Sequence, residues 1–118
     1  MSFKFNDNKI KVSFDNASFV LDPVEASNAF KKSVPMLEKM KEEIRENADA
    51  ETVKRILQSF CEWFDNLLGN GATKKIFRDH PISFYDCCDV YFYISGEVRS
   101  FNIKKRKLWG AHLNEHTD

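Results

Sequence analysis

The residues whose types and spacing could do chemistry are few: three histidines, three cysteines and one basic run ending in a tryptophan. His112 and His116 stand four apart, a spacing that puts two imidazoles on one helix face and would suit a zinc ion. They fall in a polar terminal stretch with no third ligand, so no metal site is expected there. His80, between Asp79 and Pro81, marks a helix end, where an imidazole serves as a cap or as a surface group near the helix dipole. Cys87 or Cys88 with His80 would be the parts of a thiol nucleophile and its base. No glycine-rich oxyanion element accompanies them, and a helix interior makes packing their ordinary use. Gly69-Asn70-Gly71 is too short to cradle a phosphate and follows a helix rather than a strand. The expected protein is therefore not an enzyme, with no catalytic residues, no cofactor and no metal.

Lys104-Lys105-Arg106-Lys107 with Trp109 joins cations to a stacking ring, as a nucleic-acid contact would. The chain as a whole has zero formal net charge, and cations at a helix C-terminus also offset its dipole. Nucleic acid is thus not the expected partner. Cys61, Cys87 and Cys88 are an odd count without a CxxC pair, which argues against both a disulfide framework and a zinc site. They read as reduced packing residues of a cytoplasmic protein. No apolar run is long enough to span a bilayer, and Met1-Ser2-Phe3-Lys4-Phe5 has no signal-peptide core.

The elements that would position these residues form one domain, residues 1–118, of α+β and mainly α class. A β-hairpin region over 1–21 precedes a helical region over 22–107, a bundle of three to five helices, and 112–118 is expected to be a flexible tail. Hydrophobic residues make up 42% and charged residues 31% of the chain, a soluble globular balance. Eleven phenylalanines imply an aromatic core.

Phe3, Phe5, Ile10, Val12 and Phe14 alternate with polar residues about Asn6-Asp7-Asn8, which predicts a hairpin with its turn there. A third strand is expected at Ser18–Leu21, and the open edges of so small a sheet invite pairing with a neighbouring subunit. Asp22-Pro23-Val24-Glu25 opens a helix by capping, with proline at the first helical position. Ala26, Phe30, Ser33, Leu37, Met40 and Ile44 then form a narrow seam. Pro35 must kink this helix or split it, and the unbroken phase of the seam favours a kink.

Asp49 caps the next helix, where Val53, Ile56, Leu57, Phe60, Cys61, Phe64, Leu67 and Leu68 make a broad apolar face with Trp63 at its edge. Gly69 ends it as a left-handed cap, and Gly71 completes a sharp turn into a short amphipathic helix from Ala72 through Ile76 and Phe77. Ser83-Phe84-Tyr85-Asp86 is a second capping box. The helix it opens is apolar all round at Val90–Ile94, so that segment lies either at the centre of the fold or against another chain. Gly96 weakens this helix and could break it.

With these elements in place, the region from Asp22 to Phe101 resembles tail assembly chaperones of phages and prophages of Gram-positive bacteria. The resemblance rests on the helix ending Leu67-Leu68-Gly69-Asn70-Gly71-Ala72, on Lys75-Ile76-Phe77 after it, and on the helix about Asp89–Ile94. It implies a non-enzymatic protein that keeps the long, helical tape measure protein soluble while tail tube protein subunits assemble, works in the host cell cytoplasm and is absent from the mature virion. It also implies self-association, as a homo-oligomer. The basic Lys104–Lys107 segment and the N-terminal strands depart from that pattern.

Contact with a client would fall to amphipathic rings at the edge of the core, Trp63, Tyr93 and Trp109, docking an apolar helix face. Two other readings stay open. One is a small nucleic-acid-binding regulator using Lys104–Trp109, and the other a phage-encoded protein that binds one host factor.

Overall fold

A computed structural model describes residues 2–46 and 48–116, with side chains through Leu113. The element order is β1 (Ile10–Ser13), β2 (Ser18–Leu21), α1 (Pro23–Glu46), α2 (Ala50–Leu68), α3 (Ala72–Phe77) and α4 (Phe84–His116). The class is α+β, mainly α, as the sequence implies.

The hairpin exists, but not where the alternation of Phe3 and Phe5 puts it. β1 and β2 pair antiparallel in the register Ile10↔Leu21, Val12↔Phe19, and the turn lies at Asp15-Asn16, closed by Phe14 N donating to Ala17 O at 2.7 Å. Residues 2–9 form no strand, and Phe5 is 89% exposed. Alternation shows that a segment can present one apolar face, yet only Ile10, Val12 and Leu21 find a core to bury it in. β1 packs on α4 and β2 on α2.

Asp22 caps α1 by accepting from Glu25 N at 3.0 Å, and its carboxyl is held below the ordinary range first by that bond. One helix runs through Pro35 without splitting. Its expected seam is the face that packs: Ala26, Ser33 and Met40 are buried, with Phe30, Leu37 and Ile44 against the core. Ser33 is the polar residue of this seam. Its hydroxyl donates to Phe30 O at 2.7 Å, which uses its one proton, so the 2.6 Å contact with Tyr91 Oη has tyrosine as donor.

α2 is capped by Asp49, which accepts from Thr52 N at 2.8 Å, and buries Ile56, Phe60 and Phe64. Gly69 ends it with φ 116° and ψ 157°, a positive φ but an extended rather than left-handed conformation. Gly71 is the left-handed residue, at φ 80° and ψ 6°. No side chain at Gly71 can cap α3, so a residue one helix earlier does it: Asp65 Oδ1 accepts from Thr73 N at 2.8 Å. Thr73 Oγ1 also donates to Cys61 O at 3.1 Å, locking α3 back against α2.

Ser83 opens α4, its hydroxyl accepting from Asp86 N at 3.2 Å and donating to Asp86 Oδ2 at 2.7 Å. The helix continues for 33 residues with no break at Gly96. Tyr91 and Ile94 before the glycine and Val98 after it are all buried on one face, so packing holds the phase that propensity alone would loosen. The helix also extends through residues 112–116 of the expected tail, while residues 117 and 118 lie outside the described residues.

At a rise of ~1.5 Å per residue such a helix is about 50 Å long. It sets the shape of the molecule, whose principal extents are 61 × 29 × 18 Å.

Candidate functional site

Each of the three rings expected to meet a partner has a different surrounding. Trp63 is half-buried among Phe30, Tyr91 and Phe64, with ring centroids 5.0, 5.1 and 5.7 Å away. It closes the edge of the core. Tyr93 is committed to the hairpin: its hydroxyl accepts from Ser13 N at 3.0 Å and its ring meets Phe14 edge-on at 5.3 Å. Trp109 is 71% exposed on the distal part of α4. Tyr93 and Trp109 stand 16 positions apart, which at about 100° per residue projects them from nearly opposite sides of the helix. The structure does not gather the three into one surface.

A more continuous feature lies between α1 and α4, a groove of about 900 Å³. Phe30, Val34, Tyr91 and Val98 give it apolar walls, and Lys31, Arg99 and Arg106 stand along its edges. Val34 is 49% exposed, set off the seam by its place one residue after Ser33. Asn102 spans the floor, its Nδ2 donating to Ser27 Oγ at 3.2 Å. Phe92, seven residues before Arg99, adds a ring 65% exposed to the outer strip of α4.

The sequence reading passed over Val34 and Arg99. Their signal was available: from Val98 to Leu113 the chain carries five Lys and Arg and no Asp or Glu, though its net charge is zero.

The thiols are held protonated. Burial pushes Cys87 up to about 12 and raises Cys61 and Cys88, chiefly for the same reason. Cys87 is fully buried in the core, where it packs as a small apolar side chain. His80 Nε2 lies 2.9 Å from Asp86 Oδ2, beside the cap of α4. That carboxyl is held below the usual range first by Ser83 and then by His80. No group of three potential metal ligands occurs among the described residues, and none of their helices is long and apolar enough to cross a membrane. The side chain of His116 lies outside the described residues.

Residues 6–117 match the model of a family of unknown function, DUF6673. The chain belongs to this family. The match takes in every element of the fold, from β1 to α4, and so includes both the hairpin and the basic stretch of α4. Comparisons with curated proteins and with solved structures return no match. Membership in DUF6673 thus brings no activity with it, and a functional reading has to be argued from the surface itself.

Proposed function

We propose that this DUF6673 protein is a non-enzymatic tail assembly chaperone, which keeps a tape measure protein soluble and helps recruit tail tube subunits in the host cytoplasm. The observation that carries this reading is the apolar surface of α4. Phe92, Ile103, Leu108, Trp109 and Leu113 are exposed along a helix that overhangs the body. Exposed apolar groups on this scale mark a surface that meets another protein. A long helical client has apolar seams that aggregate until covered, and a rod with exposed apolar side chains on several of its sides can cover them transiently. The resemblance over Asp22–Phe101 supplies the client's identity.

The test is an affinity-tagged bait expressed in cells producing the native tail system, with bound proteins identified by mass spectrometry. Recovery of one very long, helix-rich protein, with the bait missing from finished particles, is the expected result. Recovery of a host enzyme or of nucleic acid in its place would overturn the proposal.

One observation favours a second reading, a nucleic-acid-binding regulator. The acid-free stretch Val98–Leu113 carries five cations beside the exposed Trp109. Such binding would weaken steeply with salt, by counterion release.

A further inference from the structure

The groove between α1 and α4 combines apolar walls with edges of a single charge. Its walls, Phe30, Val34, Tyr91 and Val98, belong to helices crossing the bundle side by side; Lys105, held to Asn8, also lines it, and its edges carry Lys31, Arg99 and Arg106. No carboxylate lines it. None of these three cations takes part in an ion pair among the described residues. In a chain with equal numbers of acidic and basic residues, cations gathered around one apolar trough without a carboxylate give it a local positive potential that favours an acidic ligand.

The groove also has the dimensions of a helix seat. Along α4 its lining runs from Tyr91 to Arg106, a length of about 22 Å or four helical turns. We propose that this groove binds an amphipathic helix of another protein whose apolar stripe is flanked by Asp and Glu. The apolar stripe covers Val34 and Phe30 while the carboxylates meet Lys31, Arg99 and Arg106. The proposal rests on the chaperone reading for the source of that helix, and on the groove alone for its chemistry.

The wall rings Phe30 and Tyr91 are packed into the core, which leaves Val34 as the exposed apolar contact and favours an apolar helix face over a stacked base. Neither α1 nor α2 of a second copy of the chain offers a matching helix. α1 interleaves Glu38, Glu42 and Glu43 with Lys39, Lys41 and Arg45, and α2 turns its apolar face inward.

The probe is a labelled peptide of about 16 residues, long enough to form a helix, with leucines at i, i+3, i+4 and i+7 and flanking glutamates. A twin peptide carries lysines in place of the glutamates, and binding to the full chain is read by fluorescence anisotropy. The glutamate peptide is expected to bind at least about tenfold more tightly than the lysine peptide. Arg99→Glu/Arg106→Glu should reverse that preference, a gain of binding that loss of folding cannot produce. Val34→Asp, at an exposed position, should weaken binding of the glutamate peptide without moving the unfolding midpoint.

Equal binding of the two peptides, or an unchanged preference in the double variant, would overturn the proposal. So would a DNA oligonucleotide that binds more tightly than the glutamate peptide and is lost in the double variant, or a wild-type dimer that Val34→Asp converts to monomer. Co-expression with the tape measure protein separates this inference from the chaperone reading. If wild type and Val34→Asp both keep that client soluble, the groove assignment fails and the chaperone reading stands. If neither does while the peptide results hold, the reverse is true.

Discussion

At the residue scale, the contact on which the packing of α1 against α4 turns is Ser33 with Tyr91. Both side chains are buried, and the serine hydroxyl gives the tyrosine hydroxyl a partner that it would otherwise lack in an aromatic core. Ser33→Ala leaves the tyrosine hydroxyl without a partner and should cost about 1–3 kcal/mol in denaturant unfolding. Tyr91→Phe in that background should recover much of the loss, because it removes the stranded group. Strictly additive effects in the double-mutant cycle would show that the two side chains do not depend on each other. The same scale explains the aromatic residues taken from the sequence as partner contacts. A tyrosine flanked by apolar residues carries no mark of whether its hydroxyl meets solvent or a strand. For Tyr93 the answer is Ser13, 80 positions away.

At the element scale, the joint between α2 and α3 rests on two glycines with different tasks. A Cβ at either would meet no atom within 4 Å, so any penalty there belongs to the backbone alone. Gly71 is in the left-handed well, so Gly71→Ala should cost about 1–2 kcal/mol and Gly71→Asn distinctly less, since asparagine tolerates that well. Gly69 combines a positive φ with an extended ψ, a region nearly reserved for glycine, and both substitutions there should cost on the order of 1–3 kcal/mol. Thermal unfolding of the four variants checks the ranking. Relief by asparagine at both positions would mean that they share one conformation.

The caps at Asp22, Asp49 and Ser83 were legible because each bonds to an amide three residues on, within reach of a local pattern. The cap of α3 was not legible, because its acceptor, the Asp65 carboxylate, and its donor, the Thr73 amide, lie on either side of a turn whose path only the fold defines. The continuity of α4 through Gly96 was hidden for a related reason. Propensity records the local penalty of glycine and not the packing on either side that offsets it.

At the scale of the whole molecule, a compact chain of this length would have a radius of gyration of about 13 Å. The Cα value is 17.8 Å, because α4 runs past the bundle instead of folding back. Small-angle scattering of the monomer should therefore return a value close to 17.8 Å. A value near that of a compact chain would mean that the distal half of α4 closes onto the body. The overhang matters to function because isolated helices of its length are marginal in water.

The sequence by itself determined the class of the fold, a bundle of three to five helices, the capped starts of α1, α2 and α4, and the seam of α1. These follow from hydrophobic period and from bonds between residues three or four apart. The tertiary structure decided what local pattern cannot carry. It placed the hairpin at Ile10–Leu21 rather than around Asn6–Asn8, because burial needs a facing surface as well as an alternating strand. It drew Trp63 and Tyr93 into internal contacts, and it brought Val34 and Lys31 beside Arg99 and Arg106. Residues more than sixty positions apart in the chain become one surface only when α1 and α4 pack side by side.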